Sequence, residues 1–457
     1  MKRFKNITKV MFVAVLAMAS CTTEDLDPTL AQDKPVEGSI VSDQDLYGVS
    51  KGMYNRMTSS AYYGRDFIIN SEVRTDNVYA NSNSGRFTTT AGFNYLADSQ
   101  NGLWNQGYAA IGSANIIIGT DVTTLEGDQE YARHIQGQAY VVRALTHFNI
   151  LKNYGQQNFG GTEGIPYVKE FKGDDIYPSR EAVSANVADM MADLDMAFDL
   201  MDASYDDSSK EFVTKMTAMA VKSRIAVYFG DWANAASAAS AVINSNQYEI
   251  IAAADYVASF GLDSTKNSIF ELAFSDTDNN GSNSLAFIYR GSQYGDIECL
   301  DNILTLYEAG DVRADIIGYD PAYADGEKLR NLGKFPDDLG YDNVNVIRYE
   351  EVILNYAEAL LNTGGDAVSV LNQLTSMRGA TAYTTVTADD ILNERRKELM
   401  FEGFRYDDLV RSGKSIEKID IRQNFAATIP AGSPILAYPI PQGELDANSN
   451  MTQNPGY

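Results

Sequence analysis

The chain has 457 residues, 62 of them acidic and 36 basic, for a formal net charge of −26. A surface of that sign repels phosphate backbones, and with no basic stripe in the sequence nucleic acid is excluded as a partner. The two histidines, His134 and His147, leave no material for a His-rich zinc site, an H-E-x-x-H motif or paired catalytic histidines.

At the start of the chain, Lys2, Arg3 and Lys5 precede an apolar run from Val10 to Ala19. That run is shorter than the roughly 20 residues a membrane-spanning helix needs. A basic start, a short apolar stretch and small residues before a boundary predict an export signal over residues 1–20. The boundary, Leu16-Ala17-Met18-Ala19-Ser20-Cys21, resembles a bacterial lipobox, which implies cleavage before Cys21 and acylation there. Two or more acyl chains anchor a protein stably, so Cys21 is the expected lipid attachment. Residues 21–40, with two prolines and mixed charge, read as a flexible tether. Acylation of Cys21 leaves Cys299 alone, so no internal disulfide forms and packing must supply stability.

From residue 41 onward helix-period patterns dominate. Ser42 caps a segment carrying Leu46, Val49, Met53 and Met57. A second holds Trp104, Tyr108, Ile111 and Asn115, and a third runs from Gly127 to Asn153. Further helices are expected at Ser184 to Met201, Thr214 to Phe229 (ended by Gly230) and Trp232 to Ile243. Residues 246–345 are irregular, with β-like pieces at Tyr248 to Ile251 and Ile269 to Phe274. Helices return at Glu350 to Asn362, Ala367 to Met377, Ala388 to Phe401 and around Tyr406 to Arg411. The helices fall in pairs joined by short loops, loosely like tetratricopeptide repeats but without a clean period. The expected fold is mainly α: a single domain over 41–457, its helical scaffold at about 41–245 and 346–415, with a large loop-rich, ligand-facing insertion at about 246–345 that carries a few short strands.

The C-terminal third holds specific motifs: Arg348-Tyr349-Glu350-Glu351 to Tyr356-Ala357-Glu358-Ala359, Arg378, Glu394-Arg395-Arg396-Lys397-Glu398-Leu399-Met400-Phe401-Glu402-Gly403-Phe404-Arg405, Asp407-Asp408-Leu409-Val410-Arg411, Tyr438-Pro439-Ile440-Pro441 and Gln453-Asn454-Pro455-Gly456-Tyr457. Upstream, Trp104, Tyr108 and Asn115, Arg143-Ala144, Tyr154-Gly155, Ile165-Pro166 and Gly310-Asp311-Val312-Arg313 agree with them. Together these resemble the SusD/RagB family of surface nutrient-binding lipoproteins of Bacteroidetes. Residues 156–164, between Tyr154-Gly155 and Ile165-Pro166, depart from the family pattern. The resemblance implies a SusD-like helical scaffold, an outer-membrane location, exposed on the cell surface as Glu24 and Asp25 after Cys21 also suggest, and a SusC-like TonB-dependent transporter as partner. It implies capture and delivery of an oligosaccharide without bond cleavage. A peptide-binding member of the family and a surface glycoside hydrolase are the alternatives.

Glu394, Arg395, Glu398, Glu402 and Arg405 alternate charge at helical spacing and read as a helix-to-helix charge network on helical surface, not a catalytic carboxylate pair. With two tryptophans, a sugar platform must come from the 28 tyrosines and 19 phenylalanines. Two loop regions concentrate aromatics among polar side chains, and their candidate ligand contacts are Asn77, Tyr79, Arg86, Phe93 and Tyr95, with Tyr289, Arg290 and Tyr294. The negative charge favours neutral glycans unless a local basic patch overrides it. Asp276, Asp278 and Asn280 match the first half of a calcium loop whose twelfth position is Phe287, a weak candidate for calcium, and no other cofactor is expected.

Overall fold

Local sequence sets the helix ends. Ser42 accepts the Asp45 amide and Asp45 accepts that of Ser42, a reciprocal cap that starts α1 (Asp43–Met57). The computed structural model describes residues 40–172, 177–321 and 328–457. Cys21, the expected signal and the tether up to residue 39 lie outside the described residues.

After α1 come α2 (Asp66–Glu72), α3 (Gly102–Gly119) and α4 (Gln129–Tyr154). Helix α4 is buried on nearly every side through its second half, as a helix at the centre of a bundle must be. Next are α5 (Val183–Leu200), α6 (Lys215–Phe229) and α7 (Trp232–Asn244). Thr214 caps α6 at one end, and Gly230, at φ +72°, ends it in the left-handed conformation glycine tolerates. Helices α8 (Tyr349–Thr363), α9 (Ala367–Ser376), α10 (Ala388–Glu398) and α11 (Arg405–Arg411) follow, and short helical turns span Thr88–Ala91, Leu285–Tyr289 and Gln442–Ala447. α3 packs on α1 and α4, α4 on α5, α5 on α6, α6 on α7, and α7 on α8, which in turn carries α9. The fold is mainly α, and sequentially distant helices continue one array of packed neighbours.

Six short strands form three two-stranded antiparallel ladders: β1 (Val78–Ala80) with β3 (Ile297–Cys299), β2 (Ser268–Leu272) with β6 (Val344–Arg348), and β4 (Ile317–Tyr319) with β5 (Leu329–Asn331). The expected strand at Tyr248 to Ile251 is extended but joins no ladder: its Glu249 amide donates to the Lys266 carbonyl and its Ile251 amide to the Glu350 carboxylate. Helix α10 ends at Glu398, short of Phe401, which sits at φ +70° in the turn that follows. The unusual stretch 156–164 closes on itself through Gln156 N–H to Glu163 O (2.9 Å) and Gly161 N–H to Gln156 O (3.1 Å).

The charged run of α10 is interior, and this corrects the expectation of a helical surface. Glu398 accepts Arg348 at 2.8 Å and Arg378 at 2.9 Å, Glu402 accepts Arg348 and Lys334, and Glu394 accepts Arg313, all with side chains at most 7% exposed. The surrounding guanidinium groups hold the Glu398 carboxyl well below the usual carboxylate range against its burial. Both histidines are fully buried, with His147 stacked on Tyr167 at 3.9 Å. Burial pushes the His147 imidazole down to about 3, which leaves it neutral.

Candidate functional site

The β1–β3 ladder decides where the two candidate loops meet. Because the strands are antiparallel, Ala80 at the end of β1 pairs with Ile297 at the start of β3. The loop leaving β1 and the loop entering β3 therefore emerge side by side. They are stitched by Asn81 N–H to Asp296 O (2.9 Å), Asn83 Nδ2 to Tyr294 O (2.5 Å) and Ser84 Oγ to Asp296 (2.7 Å). Arg86 lies with its guanidinium 4.6 Å above the ring of Tyr294, which is 37% exposed. Next to it, Arg65 lies 5.7 Å over the Phe87 ring, bonds Asp66 at 2.6 Å and donates to Asn283. Ser82, Phe87 and Phe93 are three of the eight non-glycine residues with positive φ among the described residues. Such backbone persists only where the surroundings impose it, and it clusters at functional sites.

The groove beside this platform encloses about 280 Å³ and is lined by Arg65, Asp66, Asn70, Arg86, Phe87, Thr89, Thr90, Ser99 and Gln100. No residue of the described chain bonds the side-chain amides of Asn70 and Gln100, which leaves them for a ligand's hydroxyls. A larger cleft of about 530 Å³ lies along α3, walled by Trp104, Tyr108, Ile111, Val168, Phe171 and Met451. Its lining is mainly apolar, and Asn115 there is already bonded to the Val168 carbonyl at 2.9 Å. The smaller groove is the one that joins a flat aromatic face to free amides and a charged group, the combination that sugar recognition uses.

The eight candidate contacts divide in two. Asn77, Phe93, Tyr95 and Tyr289 are at most 5% exposed and belong to the frame, a correction of their expected role. Asn77 accepts Arg396 at 2.7 Å, Phe93 meets Phe425 edge-on at 5.5 Å, Tyr95 meets Tyr438 at 4.8 Å, and Tyr289 donates to the Phe401 carbonyl. Arg290 is half-buried and held by Asp338 (2.7 Å) and the Leu332 carbonyl. Tyr79 is half-buried, with its hydroxyl on Glu298 and Arg422 over its ring at 5.5 Å. Arg86 lines the groove, and Tyr294 lies against the Arg86 guanidinium, outside the groove wall. The sequence does not single out Phe87, Asn70, Gln100 or Arg65: Asn70 lies within α2 and Arg65 immediately before it, and nothing in their surroundings distinguishes them from scaffold.

In the 276–280 turn, Asn279 donates to the Ser275 carbonyl and Asn280 donates its amide to the Thr58 carbonyl at 2.8 Å. Among the described residues no three His, Cys, Asp or Glu side chains converge as a metal site, and no helix is long and apolar enough to cross a membrane.

The SusD family profile matches residues 337–457, and a second profile, described as starch-binding and associating with the outer membrane, matches residues 26–227. The fold superposes on a SusD superfamily protein from Bacteroides thetaiotaomicron with a TM-score of 0.84 at 27% identity, covering 91% of this chain and 100% of that one. The chain belongs to the SusD/RagB family. Within the family it is 32% identical to the starch-binding protein SusD of Bacteroides thetaiotaomicron over 137 residues, a match covering 29% of this chain and a quarter (25%) of that protein. It is 22% identical to SusD-like protein P38 of Formosa agariphila over 498 aligned positions, covering 91% of this chain and 93% of that one. The second of these profiles thus associates this chain with the outer membrane.

Proposed function

We propose that this SusD-family protein binds an oligosaccharide at the groove beside Arg86 and Tyr294 and passes it to a SusC-like TonB-dependent transporter. The observation that carries the reading is the groove in which Arg86 and the Phe87 ring stand beside the free amides of Asn70 and Gln100, with the exposed Tyr294 packed against Arg86 at its edge. An aromatic face takes the C–H side of a sugar ring while amides and a guanidinium bond its hydroxyls. The family description as starch-binding and membrane-associating supports both the ligand class and the location. In this reading Cys21 carries the lipid that keeps the protein on the cell surface, and no bond of the glycan is broken. The carboxylates of α10, the densest acidic cluster, are locked to arginines in the interior and cannot flank a glycosidic bond.

A polysaccharide panel run by affinity electrophoresis, followed by calorimetry with fragments of whichever glycan retards the protein, tests this. Tyr294→Ala is expected to weaken binding on the order of tenfold, about 1.4 kcal/mol. Absence of binding across the panel overturns the reading. Steady release of reducing ends from the bound glycan supports the hydrolase instead, and retention of peptides alone supports the peptide-binding alternative. Cys21→Ala is expected to move the protein from the membrane fraction to the soluble one.

A further inference from the structure

Behind the groove lies a second, more enclosed space of about 180 Å³, lined by Ala61, Phe67, Asn101, Gly102, Leu103, Asn153, Tyr154 and Tyr438 together with four residues of the outer groove, Asp66, Asn70, Ser99 and Gln100. The two spaces share those four residues and therefore adjoin. Directly behind the wall is Arg74, whose side chain is completely buried. Its Nε donates to the Asn70 carbonyl at 2.8 Å and its Nη2 to Asn153 Oδ1 at 3.1 Å, both on wall residues. Its guanidinium is packed between the rings of Tyr406 (3.7 Å) and Tyr438 (4.7 Å). Its Nη1 has no partner, and neither does the buried hydroxyl of Tyr438 on the cavity wall.

The charge balance here is opposite to that of the molecule. A fully buried arginine ordinarily sits on a carboxylate, as Arg313, Arg348 and Arg378 do in this same protein. Arg74 has no such carboxylate among the described residues: aromatic faces, amide oxygens and the Tyr95 hydroxyl surround it. Among the residues lining the two spaces Asp66 is the single acid, and Arg65 already binds it at 2.6 Å. Arg86, at the mouth, has no carboxylate partner, only the Tyr294 face. The net sign of the site is therefore positive, within a chain whose formal charge is −26.

From this juxtaposition we infer that the site is built for an acidic oligosaccharide, one carrying uronic-acid carboxylates or sulfate esters, with one anionic ring entering the inner space toward Arg74 and a neighbouring one meeting Arg86. The inference rests on the glycan-binding reading above and narrows it. The desolvation of Arg74 is already complete in the folded protein, so an arriving anion gains the attraction without a further loss of arginine hydration. The Asn70 and Gln100 amides and the Tyr438 hydroxyl supply donors for its oxygens. The overall negative surface then acts on what approaches: it repels acidic polymers everywhere except at this opening.

Matched pairs of probes separate this inference from the one it rests on. Oligogalacturonides, alginate fragments and glycosaminoglycan fragments are measured by calorimetry beside their carboxyl-reduced or desulfated counterparts. At least one acidic form is expected to bind tenfold or more tightly than its neutral counterpart, with the preference shrinking as salt rises from 20 to roughly 300 mM, where charges are screened within a few ångströms. Arg86→Gln and Asn70→Leu, the second filling the inner space without touching the Asn70 carbonyl that holds Arg74, are each expected to cut that ratio at least threefold. Equal binding of acidic and neutral forms overturns the inference and leaves the glycan reading standing. A preference that neither variant reduces places the anion elsewhere and also overturns it. Failure of every probe in both forms, with neutral glycans outside the pairs also unbound, removes the glycan reading and this inference with it.

Discussion

Glu72 is fully buried, with one carboxyl oxygen accepting the Gly403 amide at 2.8 Å and the other without a partner. Burial outweighs that bond and the nearby Lys334, raising its pKa from 4.5 to about 7. A carboxyl displaced that far costs about 3 kcal/mol to ionise within the fold. Since the folded value lies above the unfolded one, the associated stability is complete below pH 4.5 and is lost as pH rises through 7. Glu72→Gln, neutral at every pH, is therefore expected to flatten the fall in urea midpoint between pH 4.5 and about 7, with its full gain reached above that range. An unchanged pH profile in the variant would count against a buried, protonated Glu72. The charged residues around Glu398 show what can be read at this scale. The spacing of Glu394, Glu398 and Glu402 identified a structural network, but its partners Arg313, Arg348 and Arg378 come from three separate segments that only the fold assembles. The same limit misplaced Phe93 and Tyr95. An aromatic in a loop looks alike in sequence whether the loop is open to water or, as here, covered by Phe425 and Tyr438.

Helix ends were the most legible elements, because capping is local chemistry: Ser42 and Thr214 at N-termini and Gly230 at a C-terminus lie where their side chains or φ require. Strands were less so, since a ladder needs a partner. β2 pairs with β6, more than seventy residues later, while the equally β-like Tyr248 to Ile251 finds no partner strand. What sequence periodicity cannot convey is how closely two helices approach. Gly137, midway along α4, is such a contact: a Cβ there would fall 2.5 Å from Met201 Cγ and 3.1 Å from the Ala197 carbonyl, at the end of α5. Gly137→Val is accordingly expected to separate α4 from α5 at a cost of about 1–3 kcal/mol. Urea unfolding would register this as a lower midpoint with unchanged slope, whereas an unaltered midpoint would mean that the pair tolerates the extra volume.

Across the whole molecule, the main cluster of buried apolar side chains runs from Leu46 in α1 to Met451 near the C-terminus, and two smaller ones hold α8 to α10 together and seal α6 and α7 against α8. We propose that residues 41–457 form one folding unit, although α8 to α11 are separated from α1 to α7 by the irregular 246–345 stretch. Removing residues 346–457 would strip β2 of β6 and leave Arg224, bonded in the intact protein to Glu351 at 2.7 Å, as a buried unpaired charge. Such a charge costs about 3–5 kcal/mol, so the 41–345 fragment is expected to be digested quickly in limited proteolysis, and a resistant fragment of that size would show two independent units. The platform itself has a consequence for timing. Phe87 and Phe93 keep left-handed backbone because packed neighbours hold them there, so the groove exists before any ligand arrives. A preformed site spends little ordering free energy on capture, and association then runs near the encounter rate for every ligand that fits. On the proposed glycan-binding reading, discrimination among glycans then falls to how long each one stays.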